Sequence, residues 1–315
     1  MNKNIAIYKL TALLFSLVLI GATFALWTPD KPLAFLEAKY LRAPTDLRQV
    51  LGIRLHVRDS GPRSAPAVLM LHGFGSSLQT WEFWANDFSR DMRVVTLDLP
   101  GSGLSEPDPS GDYTDTRAIA IILALMDQLG IEKTSLIGNS IGGRIAWTFA
   151  ARHPQRVRKL ILVSPDGFAS PGFEYGKAPE VPAFLGLLRY CLPSWVLNMN
   201  LVAAYANPDA LTPERKERYH DLMLAPGSRT ALLARMEQTV LVNPVPMLRT
   251  IKAPTLLLWG RQDGMIPFAN AQEYLHAIEG SRLAQLDGVG HLPQEEAPAK
   301  SAAIVRAFLT EPFAA

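Results

Sequence analysis

The 315-residue sequence is poor in the residues that build disulfides and metal sites. It contains one cysteine, Cys191, so the chain cannot form a disulfide within itself. Cys191 lies in an apolar stretch, and we interpret it as a packing residue because free cysteines are commonly buried. No C-x-x-C or H-E-x-x-H spacing occurs. We therefore expect no metal site and no cofactor.

The sequence also lacks a strong charge of either sign. Its formal net charge is +2 at pH 7, and no basic tract or aromatic-interleaved basic run occurs. Nucleic-acid binding needs such a surface to neutralise phosphates, so we do not expect nucleic acid as a partner. Apolar residues are abundant instead, at 48% of the chain. The composition therefore suits one large α/β domain or two small ones.

The N-terminal residues form a long apolar run. Residues 10–27 contain no charged side chain, and at about 1.5 Å per residue a helix of this length just crosses the hydrocarbon layer. A cleaved signal peptide is the alternative, but the best cleavage site, at residues 23–25, is poor and the run continues to Trp27. We therefore predict an uncleaved anchor. Lys3 and Lys9 precede it without any acidic residue, which predicts a cytoplasmic N-terminus and an exported, periplasmic bulk of the chain on the inner membrane.

Short apolar strands alternate with helical segments over most of the remaining chain. This alternation predicts a mostly parallel sheet with helices on both faces. Between residues 169 and 248 the pattern shows only helical segments separated by prolines, which predicts a helical insertion, or cap, between two parts of one sheet. The predicted divisions are a short cytoplasmic N-terminus at 1–9, the anchor at 10–27, a juxtamembrane helix or linker at 28–45, the core at 46–168 and 249–315, and the cap at 169–248.

A G-x-S-x-G pattern at residues 138–142 joins a predicted strand to a predicted helix. The turn is so sharp that side chains two residues on either side of Ser140 would collide, and Gly138 and Gly142 remove that collision. Ser140 is therefore expected in a strained conformation at a helix N-terminus, whose dipole favours developing negative charge. A glycine-rich turn with an incidental serine would give the same five residues, so residues elsewhere in the chain must decide.

A serine nucleophile needs a histidine base and an acid that orients the histidine. Of the six histidines, His291 follows a predicted strand in a glycine turn that can project it over the strand ends. His72 precedes another glycine turn and is better explained as support for that loop. Asp263 follows the strand before that of His291, so the nucleophile, acid and base each come directly after a strand. Asp287 is a rival acid, ranked lower because it precedes the turn of His291.

With these motifs, the chain resembles the α/β-hydrolases from about residue 47 to its C-terminus. Ser140, Asp263 and His291 stand in the family order of nucleophile, acid and base. The resemblance implies an α/β-hydrolase fold and an oxyanion hole made by the backbone N–H groups of Phe74 and Ile141. Serine at position 140 argues against the aspartate-nucleophile members of the family, such as dehalogenases and epoxide hydrolases.

Within that family, the motifs are more similar to those of bacterial lipases and esterases than to those of carbon–carbon bond hydrolases. The latter usually carry Gly-Pro-Gly after the His-Gly pair, where this sequence has residues 74–77 as Phe-Gly-Ser-Ser. An N-terminal anchor resembles membrane-tethered lipases and phospholipases A. Residues 181–208 of the cap are strongly apolar, with Arg189 as the one charge, and part of this surface should line a pocket for acyl chains. The candidates for substrate contact are Phe184, Leu188, Trp195 and Leu197.

These expectations combine into one leading hypothesis and two rivals. The leading hypothesis is a membrane-anchored serine carboxylic-ester hydrolase that acts on a lipid or fatty-acyl ester, with the membrane as a partner. A homodimer, with a second copy of the chain as a further partner, is left open. The rival enzyme is a hydrolase of small esters or carbon–carbon bonds with a water-soluble substrate. A non-catalytic binding protein on the same scaffold is the third hypothesis, which an intact triad disfavours.

Overall fold

The computed structural model describes residues 8–11, 13, 14, 16, 21, 26–169 and 174–312. The predicted anchor at residues 10–27 falls largely outside these residues. Among the described residues, no helix is both long and apolar enough to cross a membrane. The anchor therefore stays a prediction.

The core is an eight-stranded sheet with the strand order β1-β2-β4-β3-β5-β6-β7-β8. The pairs β1–β2 and β2–β4 are antiparallel, and the pairs from β4–β3 to β7–β8 are parallel. The strands are β1 Leu47–Val50, β2 Ile53–Ser60, β3 Ala67–Leu71, β4 Arg93–Leu97, β5 Thr134–Asn139, β6 Val157–Val163, β7 Thr255–Gly260 and β8 Arg282–Leu286.

Helices cover both faces of this sheet. Alternate residues of β3 pack into two different apolar clusters, Leu69 and Leu71 into one and Val68 and Met70 into the other, because side chains alternate across a strand. Both faces are therefore buried, which explains why the strands read as continuous apolar runs. The helices are α1 Leu33–Tyr40, α2 Glu82–Phe88, α3 Asp115–Gln128, α4 Ile141–Arg152, α5 Ser194–Val202, α6 Pro213–Met223, α7 Ser228–Gln238, α8 Val245–Leu248, α9 Asn270–Ala277, α10 Pro293–Glu296 and α11 Pro298–Thr310.

The insertion between β6 and β7 contains helices and no strand in its described part. It comprises a 3-10 helix at Ala183–Arg189 followed by α5, α6, α7 and α8. Because β6 and β7 are adjacent parallel strands, the insertion leaves the sheet at the carboxyl end of β6 and returns through α8 to the opposite edge, at the amino end of β7. The cap therefore belongs to a crossover connection between two neighbouring parallel strands.

Residues 27–40, here called the N-terminal strap, lie against the cap. The Thr28 N–H donates to the Tyr190 carbonyl at 2.8 Å, and the Lys31 N–H donates to the Leu224 carbonyl at 2.8 Å. The ring of Trp27 stacks on that of Tyr190 with a centroid separation of 5.7 Å. Leu36 of α1 is fully buried in a small apolar cluster that includes Leu222 of α6. Much of the segment predicted as a juxtamembrane helix or linker, residues 28–45, thus packs against the cap.

Asp221 of α6 is the main polar attachment of the strap. Its side chain is 1% exposed. Its carboxylate accepts hydrogen bonds from the Lys31 ammonium at 2.5 Å, the Lys39 ammonium at 2.8 Å and the Tyr40 hydroxyl at 2.7 Å. Burial raises the pKa of this carboxyl, but the three donors outweigh burial and the pKa lies below its ordinary value. The carboxylate therefore stays charged and holds α1 on the cap.

Candidate active site

The turn between β5 and α4 holds Ser140 in a strained backbone conformation. Its φ of 56° and ψ of −122° lie outside the regions that L-residues ordinarily occupy. A Cβ added to Gly138 would lie 2.2 Å from the Gly142 carbonyl oxygen, and one added to Gly142 would lie 2.4 Å from the Leu71 carbonyl oxygen. Glycine is therefore required on both sides of Ser140, and the strained turn leaves the serine at the first turn of a helix.

The structure brings His291 and Asp263 together at the same edge of the sheet. The distance from His291 Nδ1 to Asp263 Oδ2 is 2.8 Å, and the two side chains are 4% and 0% exposed. Asp263 Oδ1 also accepts hydrogen bonds from the N–H groups of Met265 and Ile266 at 2.8 and 2.9 Å. Burial raises the pKa of Asp263, but His291 and these two N–H groups outweigh burial and hold the pKa below its ordinary value. Because an ionised carboxylate only accepts, Nδ1 carries the proton and Nε2 is left to act as a base.

Asp287 occupies a different environment. Its side chain is 78% exposed and faces Arg261, with 3.4 Å between the Arg261 Nε and the Asp287 carboxylate. Within the described residues it makes no hydrogen bond to His291, whose Nδ1 is bonded to Asp263. The geometry therefore favours Asp263 over Asp287 as the orienting acid.

Asn139, the residue before Ser140, ties the turn to the histidine loop. Its side-chain amide donates to the His291 carbonyl and to the Val163 carbonyl, each at 3.1 Å. The G-x-S-x-G motif leaves the position of Asn139 open and therefore does not single this residue out. The signal available was a polar side chain at the end of a buried strand, where an internal partner is required. Asn139 therefore holds the backbone at Ser140 next to that of His291.

The loop that follows β3 lies against Ser140. A Cβ added to Gly73 would lie 3.2 Å from the Ser140 Cβ, so no larger residue fits there without movement. The N–H groups of Phe74 and Ile141 donate to no acceptor among the described residues. Two unused N–H donors beside a serine are what an oxyanion hole needs. The role of Phe74 and Ile141 in binding an oxyanion stays a prediction.

Two buried histidines, His72 and His56, support the loop that follows β3. His72 Nε2 accepts a hydrogen bond from the Leu99 N–H at 2.9 Å, while its Nδ1 lies 2.8 Å from the Gly73 carbonyl oxygen. Burial lowers the pKa of His72, in keeping with a neutral ring that accepts at one nitrogen and donates at the other. Asp98 bonds His56 at 2.7 Å and accepts the Leu78 N–H at 2.6 Å. These contacts fix both ends of the loop that carries Phe74.

The four cap residues predicted to contact substrate divide into two pairs. Phe184 and Trp195 are 68% and 58% exposed. Leu188 and Leu197 pack against a buried apolar cluster that includes Met223. A Cβ added to Gly75 would lie 3.3 Å from the Met223 Cε, so this cluster reaches the residue after Phe74. Substrate contact by all four residues stays a prediction.

The assembled groups suit acyl transfer. A strained serine at a helix N-terminus, a histidine oriented by a buried carboxylate and two unused N–H groups are the parts that form and stabilise a tetrahedral intermediate. Within the described part of the chain, no group of three His, Cys, Asp or Glu side chains is placed to hold a metal ion.

Comparison with known proteins places these observations in a family. A family model described as alpha/beta hydrolase fold matches residues 66–298. A 2-hydroxymuconate semialdehyde hydrolase of Pseudomonas sp. (strain CF600) is 29% identical over 276 residues, covering 84% of this chain and 93% of that relative. A 2-hydroxy-6-oxononadienedioate/2-hydroxy-6-oxononatrienedioate hydrolase 2 of Pseudomonas putida is 32% identical over 261 residues, covering 78% of this chain and 88% of that relative.

A solved structure matches nearly the whole length of the chain. It is described as a membrane phospholipase A, a novel bacterial virulence factor, and it superposes with a TM-score of 0.70 at 23% identity. The superposition covers 98% of this chain and 98% of that one. At this identity the likeness concerns the fold.

Proposed function

The chain belongs to the α/β-hydrolase family, and on that premise we propose that it is a serine carboxylic-ester hydrolase of fatty-acyl lipids. The reaction adds water to an ester and releases a fatty acid and an alcohol. The observation that carries the choice of an apolar substrate is a surface of the cap, here called the apolar cap face. Large apolar side chains of residues 184–202 are exposed there, namely Phe184, Leu187, Tyr190, Trp195, Met199 and Val202.

The apolar cap face is continuous with the N-terminal strap. Trp27 is 52% exposed and stacks on Tyr190, and the chain before it carries no charge from residue 10 onward. Arg189 is the one charged residue between positions 181 and 208. A contiguous exposed apolar surface of this kind marks an interaction site. We infer an inner-membrane protein with a cytoplasmic N-terminus, whose apolar cap face meets the outer leaflet from the periplasmic side.

The mechanism follows from the hydrogen-bonding roles. The His291 Nε2 takes the proton of the Ser140 hydroxyl as the serine oxygen bonds to the ester carbonyl carbon. The N–H groups of Phe74 and Ile141 stabilise the resulting oxyanion, and loss of one such donor costs about 3–4 kcal/mol in other hydrolases. The alcohol departs with the proton from His291, which leaves an acyl-enzyme on Ser140. Water, deprotonated by His291 in turn, releases the fatty acid and restores the serine.

A carbon–carbon bond hydrolase is the second candidate, and the curated relatives favour it. The two relatives described above are hydrolases of a semialdehyde and of dienedioates and trienedioates. Ser140, His291 and Asp263 would serve that reaction as well, because it also passes through a tetrahedral adduct at a carbonyl carbon. The substrate would then be a water-soluble acid, and the apolar cap face would need a separate explanation.

Three parallel assays test the proposal. The substrates are p-nitrophenyl esters from acetate to laurate, mixed bacterial phospholipids followed by mass spectrometry, and 2-hydroxy-6-oxohexa-2,4-dienoate followed by absorbance. Burial of each added methylene is worth about 0.8 kcal/mol, so kcat/KM should rise about fourfold per methylene until the pocket is full. Release of fatty acid from phospholipid by the wild type, and not by Ser140→Ala, is the expected result. Turnover of the dienoate without ester hydrolysis would establish the second candidate, and activity on acetate alone would leave a small-ester esterase.

A further inference from the structure

The cap is bonded directly to the loop that carries His291. The contact is made by residues 203–207, which join α5 to α6 and are here called the cap clamp. The His291 N–H donates to the Ala204 carbonyl at 2.7 Å. The Glu296 carboxylate accepts from the Gly290 N–H at 2.7 Å, and on the cap side from the Asn207 and Ala206 N–H groups at 2.7 and 3.2 Å. Glu296 thus bridges the cap clamp and the residue before the base.

Two glycines make this close approach feasible. A Cβ added to Gly290 would lie 2.6 Å from the Ala204 carbonyl oxygen, and a Cβ added to Gly264 would lie 2.8 Å from the Ala203 carbonyl oxygen. Gly290 directly precedes His291, and Gly264 directly follows Asp263. The cap clamp therefore rests on the backbone beside both members of the histidine–aspartate pair.

Glu295 adds a second, buried attachment between the same loop and α6. Its side chain is 3% exposed. The carboxylate accepts from the Tyr205 hydroxyl at 2.6 Å, the Arg218 guanidinium at 2.7 Å and the Tyr219 hydroxyl at 3.0 Å. Burial raises the pKa of Glu295, but Arg218 and Tyr205 outweigh burial and the pKa lies below its ordinary value. A charged carboxylate with three donors from the cap holds α10 in one place.

We propose that Glu295 and Glu296 are positioning residues that set the place of His291 through the cap clamp. Neither side chain contacts the imidazole, so each acts through the backbone on either side of the base. The inference rests on the proposed function only in requiring chemistry through Ser140 and His291. Misplacement of a catalytic group by about 1 Å costs about 100-fold in rate. The cap is therefore a structural part of the catalytic machinery as well as a cover for substrate.

The test compares Glu296→Ala, Glu296→Gln and Tyr205→Phe with the wild type. Glu279→Ala is the matched control, because Glu279 is exposed and makes no side-chain hydrogen bond within the described residues. Rates on p-nitrophenyl butyrate are divided by the concentration of sites that react with a fluorophosphonate. We expect Glu296→Ala to lower kcat about 10- to 100-fold with KM within about twofold. The kcat of Glu296→Gln should lie between those of Glu296→Ala and the wild type, because the amide keeps one oxygen that can accept a hydrogen bond. Tyr205→Phe, which removes one hydroxyl from Glu295, should lower kcat about 3- to 10-fold.

A proton NMR signal separates positioning from stability. The hydrogen bond from His291 Nδ1 to Asp263 gives a far-downfield imidazole proton, which should shift or broaden in Glu296→Ala and Tyr205→Phe and stay unchanged in Glu279→Ala. A lower melting temperature with wild-type kcat per titrated site and an unshifted signal would overturn the proposal. If the wild type hydrolysed no ester, the proposed function would fail, and the NMR signal alone would still decide whether Glu295 and Glu296 position His291.

Discussion

Replacing Asp221 with alanine should detach the N-terminal strap and lower the free energy of unfolding. The substitution removes the acceptor shared by Lys31, Lys39 and Tyr40. A hydrogen bond to a charged group contributes about 1.5–3 kcal/mol, and breaking a buried ion pair by removing one partner costs about 3–5 kcal/mol. The two lysines are 33% and 34% exposed, so water replaces part of what they lose. We therefore expect a loss of about 2–4 kcal/mol.

The matched control for Asp221→Ala is a substitution of Glu217, which lies one turn earlier on α6. Glu217 pairs with the same Lys39 at 2.6 Å, but its side chain is 61% exposed. An exposed ion pair contributes about 0–1 kcal/mol, so Glu217→Ala should be nearly neutral. Urea denaturation followed by circular dichroism gives both values from one protocol. Limited proteolysis should cut the strap of Asp221→Ala faster than that of the wild type.

The pH dependence gives an independent check on the same carboxylate. Because the pKa of Asp221 in the folded protein lies below its ordinary value of 3.8, its charge stabilises the folded state fully above that value. That stabilisation is lost as the pH falls through the lower folded pKa. The difference in unfolding free energy between wild type and Asp221→Ala should therefore be constant at neutral pH and shrink below pH 3.8. Equal losses for Asp221→Ala and Glu217→Ala at pH 7 would refute the reasoning.

Three further substitutions test the site and the cap. Asp263→Asn should lower kcat about 10⁴-fold because the amide can donate to Nδ1 and so favour the tautomer that is protonated at Nε2, which cannot act as a base. Asp287→Asn should stay near the wild-type rate, and the reverse order would transfer the acid role to Asp287. Gly142→Ala places a Cβ 2.4 and 2.5 Å from two backbone oxygens at the end of β3. It should lower the free energy of unfolding by more than about 3 kcal/mol or prevent folding. The control Gly186→Ala meets only a flexible side chain at 3.5 Å and should unfold at the same urea concentration as the wild type. In a chain without residues 1–26, Met199→Ser should weaken co-sedimentation with phosphatidylglycerol vesicles several-fold while p-nitrophenyl acetate is hydrolysed at the rate of the unsubstituted chain. Unchanged sedimentation would remove the apolar cap face from the membrane proposal.

The parts of the molecule that follow from local pattern could be predicted from the sequence. The turn at Ser140 needs glycine at two positions within five residues, and the sequence shows both. The pairing of His291 with Asp263 follows from one further rule, that loops after adjacent parallel strands meet at one edge of the sheet. Each of these inferences uses either a short window or the order of strands along the chain.

The parts that depend on which distant side chains meet could not be predicted. Glu217 and Asp221 are two acids one turn apart on α6, and nothing local shows that one is exposed and the other buried beneath α1. Glu295 and Glu296 likewise look like two solvated acids after His291, whereas their partners lie 76 to 90 residues earlier, in the cap. Burial of a charge is decided by tertiary partners, which a single sequence does not display.

The glycines beside Asp263 and His291 bear on how caps can be exchanged between related enzymes. A graft that replaces residues 169–248 as one module would bring new backbone against Gly264 and Gly290 and new donors, or none, against Glu295 and Glu296. The contacts between cap and core next to His291 would then no longer match, even with Ser140, Asp263 and His291 retained. A graft that takes residues 288–296 as well as the cap from the donor keeps the contacts between these two segments matched. The cap and residues 288–296 therefore form one structural unit that is discontinuous in the sequence.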